Sequence, residues 1–216
     1  MPDQPVPGLW DSFWAIHASS DDLFHQLLWR IRFIFSSAYA RHMAKLTADL
    51  QSPRLLEVGC GSARTLHFLA KHFKASQCYA LDLSPQAIQV VRQISPDFQT
   101  GVASALALPL PADSFEVSFS IGLIEHFTRA QAAQMMLEKL RVTRPGCWVG
   151  VVVPWQSSVY NLIVRKAFGR HWPFGEENPF RRAELRHFLT AQGLQEVQIF
   201  VIYGSTLLGA GRKPSL

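Results

Sequence analysis

The sequence predicts an α/β domain in which a doubly wound, mostly parallel sheet carries helices on both faces. From residue 54 onward, short apolar segments alternate with segments of helical periodicity, a pattern typical of parallel sheets. The first apolar segment also runs straight into a glycine turn, Gly59-Cys60-Gly61, and then into a helix. Such turns form ligand sites at the carboxyl ends of parallel strands.

The individual elements follow from periodicity and from local stop and start signals. In the first helix, apolar residues recur at helical spacing through Leu28, Ile31, Phe35 and Tyr39. Ser84-Pro85 supplies a capping serine and a proline at the first helical position of a later helix. Helices are predicted over about 21–50, 62–73, 84–94, 128–143 and 180–191. Strands are predicted over 54–58, 77–83, 98–103, 115–121, 147–153, 195–203 and 206–212, with a turn at 144–146.

Length and composition predict one folded domain with additions. The chain has 216 residues, of which 48% are hydrophobic and 17% charged, so a substantial core is expected. We divide it into an N-terminal arm and cap helix (1–50) and a main domain (51–216) with a cap insertion at 154–179. The net charge of +5 is compatible with an anionic substrate, a membrane surface or RNA, and it distinguishes none of them.

Cysteine and histidine spacing predicts neither a disulfide framework nor a metal site. The three cysteines are scattered and form no CxxC pair, and the eight histidines form no HxxxH or HExxH pair. The first residues lack the basic start and apolar core of a signal peptide, and no apolar run is long enough to span a membrane. The cytoplasm is therefore the expected compartment.

The glycine turn differs from the dinucleotide fingerprint G-x-G-x-x-G, because Arg64 stands where the third glycine would be. No G-K-[ST] follows, so a P-loop is excluded as well. Asp82 follows Gly61 by 21 residues, close to the roughly 20 expected for an acid that binds ribose hydroxyls. A carboxylate suits that role because its two oxygens can accept from two vicinal hydroxyls.

Five segments together resemble a known family. They read LLEVGCGSA, ALDLS, ALPLPADSFE, SFSIGLIEHF and RPGCWVGVVVP. In order and spacing they are similar to class I S-adenosylmethionine-dependent methyltransferases, and most of all to the small-molecule group often called type 11. The resemblance covers about 54–154. It implies a Rossmann-like, seven-stranded sheet with an antiparallel C-terminal strand, and S-adenosylmethionine as cofactor.

The resemblance also implies a set of cofactor-binding residues. The turn from Gly59 through Cys60 to Gly61 would approach the methionine part of the cofactor, and Glu57 would shape the loop. Asp82 would bind the ribose, and Leu83 would pack on the adenine. The remaining implied positions are Ser104 and Ala105 near the adenine amino group, and Ser120 and Ile121 where the sulfonium and the acceptor meet. Ser104 stands where the family normally has an acid, and Ala63 stands where many members have glycine.

His126 follows the fourth strand within the segment EHF, and two interpretations stay open. It is a general base beside the acceptor, or it is simply part of the turn into the next helix. A sulfonium donor already activates its methyl group, so the protein mainly aligns the acceptor and excludes water. The absence of a base would therefore not exclude methyl transfer.

The acceptor is expected to contact the two regions outside the shared core. Both are rich in aromatic and basic residues, which favours a small apolar or aromatic acceptor, with an anionic group as an option. The candidate acceptor-binding residues are Trp14, Trp155, Tyr160 and Trp172. The same composition fits a hydrophobic lid, peripheral membrane contact or a homodimer interface, and these alternatives stay open.

Two functions from different classes are compatible with the sequence. The first is an S-adenosylmethionine-dependent methyltransferase acting on a small molecule. The second is a non-catalytic relative that binds the cofactor or a partner. A nucleic-acid substrate is not expected, because the basic residues form no stripe and Ser120-Ile121-Gly122-Leu123 replaces the Asn/Asp-Pro-Pro-Tyr/Phe motif of base-methylating branches.

Overall fold

The computed structural model describes residues 23–75, 77–158 and 177–215, which form one seven-stranded sheet with helices on both faces. The helices are α1 (Leu23–Leu46), α2 (Arg64–Phe73), α3 (Pro85–Ile94), α4 (Arg129–Val142) and α5 (Arg182–Ala191), with a 3-10 turn at Ile124–His126. The strands are β1 (Arg54–Val58), β2 (Gln77–Asp82), β3 (Gln99–Val102), β4 (Phe115–Ile121), β5 (Thr143–Pro154), β6 (Gln195–Ile202) and β7 (Thr206–Arg212).

The strand order is β3-β2-β1-β4-β5-β7-β6. Strands β1 to β5 pair in parallel, and β7 runs antiparallel to both β5 and β6. The predicted mostly parallel sheet with an antiparallel C-terminal strand is therefore confirmed. The order reverses direction between β1 and β4, and in open sheets of this kind ligands bind outside the carboxyl ends of the strands at that point.

Each face of the sheet buries its own core, because successive strand residues point to opposite faces. On one face, Val152 and Leu55 pack with side chains from α1, α2 and α3. On the other face, Val151 and Val153 pack with Met136 and with side chains of α5. Burial against helices on both sides explains why β5 is a continuous run of apolar residues rather than an alternating one.

Helix α1 lies across the first face and reaches the C-terminal strands. Met43 is buried, and its terminal methyl lies 3.5 Å from the position that a Cβ on Gly150 would occupy. The hydroxyl groups of Tyr39 and Thr206 form a 3.1 Å hydrogen bond. These contacts fix the helix beside the switch point. The division at residue 50 and the extent of the cap insertion stay predictions.

Two predicted boundaries are wrong for identifiable reasons. The segment 144–146 is not a separate turn, because β5 already begins at Thr143, which pairs with Phe115 before the register shifts. Helix α5 does not begin at Phe180, whose backbone instead forms a bridge with Trp155 and whose side chain is fully buried. By contrast, the predicted cap of α3 is confirmed, since the Ser84 side chain accepts a hydrogen bond from the Ala87 N–H.

Among the described helices, none combines the length and the apolar character needed to cross a membrane.

Candidate active site

A cavity of about 350 Å³ lies at the carboxyl ends of β1, β2 and β4, where the strand order reverses. Its volume falls within the range of about 300–1,000 Å³ typical of small-molecule sites. The wall is mostly apolar with a few charged groups. Those charged groups are Arg32, Glu57, Arg64, Asp82, Glu125, His126 and Glu177.

The glycine turn forms one end of the cavity. Gly59 and Gly61 adopt φ angles of +65° and +50°, which glycine occupies without the cost of a Cβ. A Cβ on Gly59 would also lie 2.8 Å from Cδ1 of Leu123, so the Leu123 side chain would have to move to admit one. Ala63 has a φ of +50° and precedes α2, which explains why a glycine would be suited to that position.

Asp82 ties the turn to the second strand. Its Oδ2 accepts a 2.8 Å hydrogen bond from the Gly61 N–H, and its Oδ1 accepts a 2.9 Å bond from the Ser84 N–H. Each carboxylate oxygen has two lone pairs, so these bonds are compatible with acceptance from ligand hydroxyls. The backbone thereby orients the carboxylate toward the cavity before any ligand binds.

Glu57 lies beneath the same turn. It is 3% exposed, and its Oε2 accepts a 3.2 Å bond from the Leu66 N–H in the first turn of α2. Burial raises the pKa of Glu57 to about 8, and the Arg32 guanidinium partly opposes that shift. Arg32 comes from α1, and burial together with the neighbouring charge of Arg64 lowers its pKa to about 10. The helix thus delivers a cation to the turn end of the cavity.

The residues beyond Asp82 line a less polar stretch of the wall. Leu83 is 45% exposed although it is a large apolar residue, so it offers a surface for a flat apolar group. Ala105 also lines the cavity. Ser104 lines it too, and its Oγ accepts a 3.2 Å bond from the Leu106 N–H, so this hydroxyl also stabilises the local turn.

A second group of lining residues, at and near the 3-10 turn after β4, is acidic. Ligand atoms of Glu125, His126 and Glu177 lie within 4.8 Å of one another. Glu125 is 1% exposed, and its Oε2 has no hydrogen-bond partner among the residues that the structure describes. Burial and the nearby charge of Glu177 raise the pKa of Glu125 to about 8, whereas Arg129 opposes the shift. We call these three residues the acidic end.

Backbone contacts hold Glu177 against the 3-10 turn. The Asn178 N–H donates a 2.7 Å bond to the Glu125 carbonyl. Arg129 donates to the carbonyls of Asn178 and Pro179 and to the Glu184 carboxylate, and its guanidinium stacks 3.6 Å from the centre of the Phe180 ring. The acidic end is therefore built by the fold rather than by a short sequence motif.

Most of the sequence-predicted site residues that the structure describes lie on this cavity. They are Glu57, Gly59, Cys60, Gly61, Asp82, Leu83, Ser104, Ala105, Ile121 and His126. Their roles as ligands stay predictions, including that of His126 as a base.

Three further placements differ from the sequence-based expectation or lie beyond it. Ser120 does not line the cavity, because strand alternation turns its hydroxyl to the opposite face, where it accepts a 2.9 Å bond from Lys139. Trp155 is absent from the lining and packs against the core beneath α5. The other three candidate acceptor contacts, Trp14, Tyr160 and Trp172, lie outside the described residues.

Comparison with protein families identifies the core of this fold. Residues 55–146, which run from β1 to the start of β5, match the family model described as a methyltransferase domain. This part of the chain therefore resembles a methyltransferase domain. The family resemblance seen in the sequence is thus confirmed.

Several curated methyltransferases are moderately similar to this chain in sequence. Trans-aconitate 2-methyltransferase of Mycobacterium ulcerans is 27% identical over 154 residues, covering 67% of this chain and 57% of that protein. Fatty-acid O-methyltransferase of Mycolicibacterium smegmatis is 29% identical over 109 residues, covering 49% of this chain and 38% of that protein. The chain thus matches about half the length of these relatives or less.

Solved structures similar to this chain confirm the fold. The S-adenosylmethionine-dependent methyltransferase SibL has a TM-score of 0.72 at 17% identity, covering 93% of this chain and 62% of that chain. An S-adenosylmethionine-dependent methyltransferase from Thermotoga maritima has a TM-score of 0.71 at 16% identity, covering 95% and 99%. The [4+2]-cyclase SpnF has a TM-score of 0.65 at 17% identity, covering 83% and 81%. One fold therefore carries different activities.

Sequence reasoning missed several charged groups of this site. Arg32 appears in the sequence as one of several basic residues of the first helix, and helical spacing alone does not identify which of them faces the cavity. Glu177 lies far from Glu125 in sequence, and no motif spacing connects them. The adjacent pair Glu125-His126 was the available signal for the acidic end.

Proposed function

We propose that this chain binds S-adenosylmethionine in the cavity and transfers its methyl group to a small apolar or aromatic acceptor. The observation that carries the proposal is the pair of hydrogen bonds to Asp82 at the switch point. One comes from the Gly61 N–H of the glycine turn and the other from the Ser84 N–H, and together they orient the carboxylate. Bound there, the cofactor would supply a methyl group activated on a sulfonium centre.

The lining residues include a suitable partner for each part of that cofactor. Asp82 would accept hydrogen bonds from the ribose hydroxyls, and exposed Leu83 would cover the adenine. Arg32, on α1 beside Glu57, would bind the methionine carboxylate, since a guanidinium matches a carboxylate in charge and geometry. The main chain at Gly61 would lie against the methionine backbone without a side chain in between.

The rest of the cavity would hold the acceptor. Apolar side chains such as Phe35, Ile121 and Leu123 line it and would exclude water from the transfer step. Among the relatives, names include trans-aconitate, fatty-acid and ajmaline methyltransferases, which supports a small-molecule acceptor. Because an acceptor aligned with the methyl group reacts by in-line displacement, positioning is the main task of these residues.

The experiment is a binding titration followed by a transfer assay. S-adenosylhomocysteine, the demethylated cofactor, should bind to the wild-type chain, and Asp82→Ala should weaken that binding at least about tenfold, because charge-assisted hydrogen bonds are lost. Asp97→Ala, which removes an exposed carboxylate elsewhere, is the matched control. Absence of binding, or equal binding to Asp82→Ala, would contradict the proposed cofactor site.

Transfer is then tested with a radiolabelled methyl donor and fractions of a lipid and metabolite extract. Label should enter a small-molecule fraction with wild type and not with Asp82→Ala. If the cofactor product binds but no fraction becomes labelled, the chain is a cofactor-binding protein without methyl transfer, as the second function hypothesis predicts.

A further inference from the structure

The acidic end of the cavity contains a buried carboxyl oxygen that none of the described residues hydrogen-bonds. Glu125 is 1% exposed, and its Oε2 has no hydrogen-bond partner within residues 23–75, 77–158 and 177–215. The nearby cation, Arg129, directs its hydrogen bonds to Glu184, Asn178 and Pro179 instead. An unpaired buried carboxylate is costly, so a ligand that compensates it is expected from outside the protein.

The neighbours of Glu125 define the chemistry of that ligand. The carboxylate of Glu177 and the imidazole of His126 place ligand atoms within 4.8 Å of the Glu125 carboxylate and of each other. Two carboxylates side by side repel each other, and a cation between them removes that repulsion. An imidazole nitrogen beside two carboxylate oxygens is a donor set that suits first-row transition metals better than Mg²⁺ or Ca²⁺, which prefer oxygen alone.

The fold holds these donors in place. Glu125 and His126 are fixed on a 3-10 turn at the end of β4, and Glu177 is fixed by the Asn178 N–H bond to the Glu125 carbonyl. The neighbouring Phe180 is fully buried and bridges Trp155. Because all three residues line the cavity, a bound ion would have open positions on the cavity side.

We propose that Glu125, His126 and Glu177 form a binding site for a divalent transition-metal ion such as Mn²⁺ or Zn²⁺, at the acidic end of the cavity. Three protein ligands with an open position are the arrangement of catalytic rather than structural metal sites. When bound, the ion would act as a Lewis acid toward an acceptor oxygen. It would also change the charge at this end from one that repels anions to one that attracts them.

The site does not depend on the proposed methyl transfer, so it is tested with metal alone. The chain is stripped with a chelator, desalted and titrated with Mn²⁺, and free Mn²⁺ is measured by electron paramagnetic resonance. One Mn²⁺ per chain should bind, and Zn²⁺ should displace it. Glu125→Gln and Glu177→Gln should each weaken Mn²⁺ binding at least about tenfold. Mutating a residue that only supports a metal ligand already weakens binding by that factor, and here the ligand itself is lost.

The matched control is Glu196→Gln, which removes an exposed carboxylate that does not line the cavity and should leave Mn²⁺ binding unchanged. Thermal unfolding of each metal-free variant reports whether it folds, and the partly exposed Glu177 carries the test if Glu125→Gln does not. The proposal is overturned if neither metal binds saturably to the wild-type chain. It is also overturned if the Glu125 and Glu177 variants bind Mn²⁺ as tightly as wild type does. Binding of S-adenosylhomocysteine is measured separately, so that failure of the metal site can be distinguished from failure of the proposed cofactor site.

Discussion

The two ends of the cavity each present a carboxylate, and the two carboxylates have opposite hydrogen-bonding states. At the turn end, both oxygens of Asp82 accept from backbone N–H groups. At the acidic end, Oε2 of buried Glu125 accepts from nothing in the described structure. A carboxylate bonded by its own backbone is oriented before any ligand binds, whereas an oxygen left without a partner indicates that a ligand completes the site.

The largest expected effect is on the turn end, from Gly59→Ala. The substitution combines a φ of +65° with a Cβ placed 2.8 Å from Leu123, so we expect stability to fall by about 3 kcal/mol. Gly204→Ala is the matched control, because Gly204 has the same φ and no heavy atom within 4 Å of the added Cβ. Urea unfolding of both variants separates the contact from the backbone strain. Equal losses would show that the close approach to Leu123 is unimportant.

The comparison itself is tested by converting one carboxyl group at each end to an amide. Asp82→Asn deprives a backbone N–H of its acceptor and should cost about 2 kcal/mol of stability. Glu125→Gln in metal-free protein removes no hydrogen bond from Oε2 and should change stability by less than about 1 kcal/mol. Denaturant unfolding in the presence of a chelator measures both. A larger loss for Glu125→Gln than for Asp82→Asn would reverse our interpretation of the two ends.

Lys139 tests whether a buried amine with two hydrogen bonds still destabilises the fold when it is charged. It is 1% exposed, and its Nζ donates to the Ser120 hydroxyl and the Gly150 carbonyl. Burial lowers its pKa from 10.5 to about 7. Between these pH values the unfolded chain binds more protons, so the contribution of Lys139 to stability rises with pH from about 7 to 10.5.

Lys139→Met should therefore flatten the pH profile of stability over that window. From pH 7 to 10.5, the unfolding free energy of wild type should rise relative to that of the variant by at least about 1 kcal/mol. The reason is that one pKa unit corresponds to about 1.4 kcal/mol. Chemical unfolding at a series of pH values measures it, and the difference between the two proteins cancels groups common to both, such as Glu57. Parallel profiles would show that the ammonium remains charged in the folded protein.

The smallest expected effect is from Ala63→Gly, again at the turn end. Glycine relieves a φ of +50°, which costs alanine about 1 kcal/mol, but it removes a methyl group that is 1% exposed in the core. The two terms oppose each other, so stability should change by less than about 1 kcal/mol. Thermal unfolding beside wild type is sufficient, and a larger gain would show that strain, not packing, dominates this departure from the family pattern.

The sequence predicted the turn end well because its signals are local. The apolar run of β1, the glycines that follow it and Asp82 at the end of β2 all belong to one strand-turn-helix-strand unit. The structure confirms the parallel pairing of β1 and β2 that this unit implies. It also shows why Ser120 is displaced from the cavity, since residues one apart on a strand face opposite sides and Ile121 takes the cavity side.

By itself, the sequence determined the class of fold, the glycine turn and the carboxylate paired with it, because backbone conformation and strand alternation are set by neighbouring residues. Only the tertiary structure brought Arg32 and Glu177 to the cavity, left Trp155 outside it and left one oxygen of Glu125 unsatisfied. These features depend on how α1 and the segment before α5 pack onto the sheet, and such contacts between residues distant in sequence leave no local pattern.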